Sequence, residues 1–246
     1  MMQKSLAALA LAVAVAAPAL PAAAQELTPE EVKRLALEAI LENPEIVMEA
    51  VEILREREEA AQAEATRAAI GDMRLNLEED PNAPVLGNPE GDVTVVEFFD
   101  YNCPYCKQAS AEVKALLDGD PSVRLVHREW PILGEGSLFA ARAALAAREQ
   151  GKYEDFHWAL MAERSRKDEA AVLRIAAEVG LDVEKLKADM EGQAVADHIA
   201  QSNDMAKALG FTGTPSFVIG EEAVFGFVPK DDLAGLIEAA REAPAE

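Results

Sequence analysis

Cysteine is nearly missing from this chain: 246 residues contain two, Cys103 and Cys106. A set of widely spaced bridges stapling a small core is therefore excluded, and a bridge between near neighbours closes too short a loop to stabilise much. Histidine is almost as scarce. His127, His157 and His198 have no spacing that would complete a zinc site with the cysteine pair. Positive charge is short as well, with 23 Lys and Arg against 45 Asp and Glu and a net charge of −22. No basic stretch is left to hold nucleic acid or an anionic membrane surface. Long apolar runs are confined to Leu6–Ala17, which falls short of the ~20 residues a spanning helix needs.

That one run has its own meaning. Lys4 precedes it, and Pro18, Pro21 and Ala22-Ala23-Ala24 follow it. A charged start, a short apolar stretch and a small-residue site predict a secretory signal peptide over residues 1–24, cut near Ala24. The mature protein is then expected in an oxidising compartment outside the cytoplasm. In that setting two cysteines separated by two residues read as redox chemistry rather than architecture.

Residues 25–78 read as a helical stalk. Thr28-Pro29-Glu30-Glu31 combines an N-cap threonine, proline at the first helical position and glutamate at the third, a capping box. Asn43-Pro44 repeats the stop-and-restart signal, and a second helix is expected from about Pro44 to Leu75. Val47, Leu54, Ala61 and Ala68 recur every seven residues with Val51 and Ala65 beside them, although Glu58 interrupts the stripe. Such a stripe must pack on the rest of the chain or on copies of itself; self-association through residues 28–75 is the favoured expectation.

The Pro-, Asn- and Gly-rich segment 80–92 is expected to be turn without regular structure. Val93–Phe99 is β-branched and aromatic, a buried strand interrupted by Glu97. The cysteine pair comes next, with Pro104 in the first turn of a helix reaching Gly119, and Val123–His127 is the following strand. Residues 137–209 are helical with breaks. Pro215–Ile219 and Ala223–Gly226 are two strands, and Lys230–Glu242 is the last helix. The order is β–α–β, a helical block, then β–β–α, an α/β fold.

A cysteine at the junction of strand and helix points its sulfur at unpaired N–H groups, which stabilise a thiolate. Cys103 is accordingly the attacking sulfur, and Cys106, one turn deeper, resolves the mixed disulfide. His127 reads as a satisfied strand histidine rather than a catalyst, His157-Trp158 as core or domain-interface packing, and Phe225-Gly226-Phe227 as core strand by default, with lining of the substrate groove as the alternative.

Glu97-Phe98-Phe99-Asp100-Tyr101-Asn102-Cys103-Pro104-Tyr105-Cys106 and Gly213-Thr214-Pro215-Ser216-Phe217 resemble the active-site segment and the cis-proline loop of DsbA-like thioredoxin-fold proteins. The helical block resembles the insertion of that family, and the stalk is similar to the oligomerising segment of ScsC-like relatives. The resemblance implies a thioredoxin fold over residues 79–246 with a helical insertion at about 136–209. It implies that Pro215 is cis and that the Thr214 backbone pairs with an extended substrate, while Pro104 and Tyr105 shape the substrate edge. Glu97 matches a family acidic residue beneath the cysteines. If buried it could relay a proton to or from Cys106; if exposed it is an ordinary edge carboxylate.

The chain departs from DsbA in carrying Pro-Tyr rather than Pro-His between the cysteines. Its couple is therefore expected to be less oxidising than DsbA's ~−120 mV, nearer the ~−180 mV of protein disulfide isomerase. Thiol–disulfide exchange on unfolded or misoxidised exported proteins, as isomerase or oxidase, is the expected function. No cofactor is expected, and a membrane or periplasmic redox partner resets the enzyme. The alternative from another class is an exported Cu(I)-binding protein using both thiolates as ligands.

Overall fold

A computed structural model describes residues 27–243; the expected signal peptide lies outside the described residues. The chain divides into two compact units, one ending at Glu56 and one beginning at Arg57. In the first, α1 covers Pro29–Glu42 and α2 begins at Glu45, running on to Glu78. The capping box forms as the spacing predicts: the Thr28 side chain accepts from the Glu31 N–H, and the Glu31 carboxylate accepts from the Thr28 N–H at 2.9 Å. No residue of α1 is buried, and Leu35, Ile40, Leu41, Val47, Val51 and Leu54 stay exposed.

The second unit is built on a five-stranded sheet in the order β1-β3-β2-β4-β5. Its strands are β1 (Val85–Gly87), β2 (Val93–Phe99), β3 (Val123–Glu129), β4 (Ser216–Ile219) and β5 (Glu222–Phe225). Strands β2 and β3 are parallel and linked through α3 (Pro104–Gly119), while every other pairing is antiparallel. The helical block between β3 and β4 comprises α4 (Glu135–Ala147), α5 (Tyr153–Ala162), α6 (Glu169–Glu178), α7 (Val183–Asp189) and α8 (Gln193–Ala208), and α9 (Lys230–Glu242) closes the unit. Among the described residues no helix is long and apolar enough to cross a membrane.

Alternation along β2 divides the core between the two faces of the sheet. Val93, Val95 and Phe99 join Val113, Leu116, Phe156 and Leu160 on one side. Val96 and Phe98 join Ile70, Leu77, Trp130 and Phe211 on the other. The last turns of α2 thus pack on the sheet through Ile70 and Leu77, while the heptad residues Val47, Val51, Leu54, Ala61, Ala65 and Ala68 stay exposed.

Segment 80–92 departs from its expectation. Strand β1 forms there, with Leu86 opposite Leu125 of β3. Three residues are too few to display a period of two, so only the partner strand reveals it. The preceding loop is pinned by Arg128, which is buried and paired with Asp80.

Candidate functional site

The active-site turn begins where β2 ends. Asp100 is buried and its acceptors are fully used: Oδ1 takes the Asn102 N–H at 2.7 Å, and Oδ2 takes the N–H groups of Ile132 and Leu133 at 2.8 and 2.9 Å. The Cys103 N–H donates to the Asp100 carbonyl at 3.0 Å. This clamp delivers Cys103 to the N-cap of α3, with Pro104 in the first turn as the sequence predicts. Nothing in the sequence marked Asp100 beyond its place in the motif.

Cys103 Sγ lies 3.1 Å from the Thr214 carbonyl oxygen. The Thr214–Pro215 peptide bond is cis, and Pro215 is buried beside β4. Cysteine and proline loop, separated by more than a hundred residues in sequence, are therefore adjacent. Pro104 is exposed and Tyr105 is 60% exposed, so both present surface around the sulfur.

The two thiols have opposed acidities. The Cys103 thiol is pulled down to about 6, chiefly by a hydrogen bond from Cys106, against the cost of burial. Thr214 and the N–H groups of Cys106 and Tyr105 at the start of α3 add to the effect. Cys106 is pushed well above the ordinary thiol value, first by burial and then by its neighbour Cys103. Both cysteines are buried, Cys103 at 5% exposure and Cys106 at 0%, and at neutral pH the pair holds one thiolate and one deeper thiol, the arrangement that attack followed by resolution requires.

Glu97 is 2% exposed, which removes the edge-carboxylate alternative. The β2–β3 register places it opposite His127, with its Oε2 3.4 Å from His127 Nε2. That separation suits an ion pair but lacks hydrogen-bond alignment, and Glu97 Oε1 has no partner among the described residues. No hydrogen bond joins Glu97 to Cys106 among the described residues, so the expected relay is not formed by direct contact.

The surroundings of Glu97 were not foreseen. Glu129 Oε1 accepts from the hydroxyls of Tyr101 and Tyr153 at 3.1 and 2.9 Å. Tyr153 also meets His127 Nδ1 at 3.0 Å, and Tyr101 meets His157 Nδ1 at 3.1 Å. Burial raises the Glu129 carboxyl and both tyrosines well above their ordinary values and lowers His157 well below its own. His127 and Glu129 alternate on the inward face of β3, and that spacing of two was the available signal. His157, read as packing, is a hydrogen-bonded member of this buried group.

Among the described residues no group of three or more His, Cys, Asp and Glu side chains converges as a metal site.

The family model described as a DSBA-like thioredoxin domain matches residues 94–238, more than half of the chain. A thioredoxin-like oxidoreductase from Silicibacter pomeroyi is 65% identical, with a TM-score of 0.69, covering 70% of this chain and 99% of that one. Proteus mirabilis ScsC in a compact conformation is 26% identical, with a TM-score of 0.66, covering 87% and 98%. The Na(+)/H(+) antiporter NhaA 3 of Salinispora tropica is 37% identical over 155 residues, 62% of this chain and 24% of that protein. The chain spans about a quarter of the length of the first curated relatives it matches. Cysteine pair, cis-proline loop, sheet order and family match agree: the chain belongs to the DsbA-like thioredoxin-domain family, with ScsC among its structural relatives.

Proposed function

We propose that the protein is a thiol–disulfide oxidoreductase acting on exported polypeptides, as isomerase or oxidase according to the redox state of its cysteines. The observation that carries the reading is the lowered pKa of Cys103, which makes it the more acidic thiol, held at the N-terminus of a helix with Cys106 buried behind it. In the reduced state the Cys103 thiolate attacks a substrate disulfide. An S–S bond forms to one substrate sulfur, and the other leaves as thiolate. Cys106 then loses its proton and attacks Cys103, returning the first substrate sulfur as thiolate. Two electrons pass to the substrate, and Cys103–Cys106 is left oxidised. The reverse sequence oxidises a substrate dithiol, and release of a re-paired substrate before Cys106 attacks is isomerisation.

A Cys103 acidity of about 6 falls between DsbA's ≈3.5 and thioredoxin's ≈7. It supports a couple between their potentials of about −120 and −270 mV. The exposed apolar residues of α1 and early α2 support self-association through residues 28–75, which would set several active sites in one particle and favour isomerisation. A periplasmic location and a redox partner that resets Cys103–Cys106 complete the proposal.

Refolding of scrambled ribonuclease tests it. The full chain with reduced cysteines is expected to restore ribonuclease activity, and Cys103→Ser to give none. Full recovery with Cys103→Ser would overturn the reading.

A further inference from the structure

A cleft of about 430 Å³ is lined by Asn102 and Pro104, the two neighbours of Cys103 in sequence, together with Lys107, Leu133, Arg164 and Arg166. Its charge is out of character for a chain with a net charge of −22. The Lys107 ammonium donates to the carbonyls of Arg164 and Ser165 at 3.1 and 3.3 Å. Lys167, behind the cleft, donates to the carbonyls of Glu163 and Ser165. Arg166 donates to the Leu133 carbonyl at 3.0 Å. Among the described residues none of Lys107, Arg164, Arg166 and Lys167 forms an ion pair. The acids of the loop are engaged elsewhere: Glu163 pairs with Arg174 at 2.8 Å and Asp168 caps α6. Lys107 and Lys167 therefore share the Ser165 carbonyl. Burial and Lys107 together lower Lys167 to about 7.

The loop that carries these cations is held at its backbone. Asn102, the residue before Cys103, accepts from the Lys167 N–H at 2.6 Å and donates to the Lys167 carbonyl at 3.3 Å and Ser137 Oγ at 3.1 Å. Glycine at 136 lets the loop lie directly on α4, since a Cβ there would come 2.1 Å from the Lys167 carbonyl oxygen. The same asparagine thus fixes the cationic loop and leads into the reacting sulfur.

We propose that this cleft is a substrate subsite that selects polypeptides carrying aspartate or glutamate beside the reacting cysteine. The proposal rests on the disulfide-exchange reading and adds the class of substrate to it. An acidic side chain would supply the charge that Lys107, Arg164 and Arg166 lack, in a site where part of the solvent is displaced. The field of the whole protein works the other way, because a net charge of −22 favours basic peptides. Selection for acid must therefore come from the local cluster.

Single-turnover exchange with terminally blocked peptides tests this. Each peptide carries one cysteine as a disulfide with 2-thiopyridine and is flanked by two Asp, two Asn or two Lys. Attack of Cys103 on the peptide sulfur forms the peptide mixed disulfide and releases the chromophoric thiopyridine. At low ionic strength the Asp peptide is expected to react about tenfold faster than the Asn peptide. That ratio should shrink towards one near 1 M salt, where the Debye length is about 3 Å. Arg164→Gln/Arg166→Gln should bring the ratio close to one, and Arg164→Glu/Arg166→Glu should turn the preference to the Lys peptide. Both arginines are exposed, and circular dichroism checks the fold of each variant. Equal rates, a Lys preference in the natural protein, or an unchanged ratio in the variants would overturn the subsite. No release from any peptide would instead sink the exchange reading itself.

Discussion

Residues 27–56 and residues 57–243 are both rich in helix, yet their helices form for different reasons. In the first stretch the capping box and good helix formers act locally, and Leu41 remains 71% exposed. In the second, helices such as α3 and α5 bury an apolar face against the sheet, where Phe99 is fully enclosed. A helix without a buried face is marginal in water, so the first stretch depends on what covers its apolar residues. The second contains its own cover, and only there can a thiolate, a buried thiol and a proline loop be held in place.

The largest expected effect is on chemistry in the second stretch. Cys103→Ser should lower insulin-disulfide reduction by on the order of 10³-fold or more, because a serine hydroxyl is not a usable nucleophile towards sulfur. Residual activity within tenfold of the natural protein would place the chemistry elsewhere. Phe99→Ala should cost about 3–5 kcal/mol by urea denaturation. Leu41→Ala should stay within about 0.5 kcal/mol for an isolated chain. A larger, concentration-dependent loss for Leu41→Ala would mean that copies of the chain bury it.

Acidity sharpens the contrast further. Thiolate absorbance should titrate with a midpoint near 6, and Cys103→Ser should remove that transition. Because the folded value lies below the ordinary thiol value, the Cys103 thiolate favours the folded, reduced protein at alkaline pH. That contribution should diminish as pH falls from about 9 and vanish below about 6. Stability of the reduced protein that rises across this window on acidification would contradict the assignment. The smallest effect belongs to the stalk: Thr28→Ala should reduce α1 helicity at a cost of about 1 kcal/mol, read by circular dichroism, and leave insulin reduction unchanged.

Much of the fold was legible because local signals were strong. The β-branched run of β2, Pro104 behind the cysteine, and the breaks between α4 and α8 each occur within a few residues of one another. Strand β1 was not legible, since Val85–Gly87 has no pattern apart from its pairing with β3. The site divided in the same way. Cys103 and Cys106 could be singled out from spacing, and Thr214 and Pro215 from resemblance. Glu129 lies in β3, Tyr101 in the turn between β2 and α3, and Tyr153 at the start of α5, and their hydroxyl–carboxyl bonds arise only when those segments are packed.

By itself the sequence determined which sulfurs could do chemistry, because a cysteine pair between strand and helix is a local fact of spacing and capping. Tertiary structure decided what surrounds them. Burial of Glu97 opposite His127, contact of Cys103 with Thr214 across the fold, and the cationic loop clamped by Asn102 all join residues distant in sequence. Desolvation and hydrogen-bond geometry depend on those long-range contacts, and no local pattern encodes them.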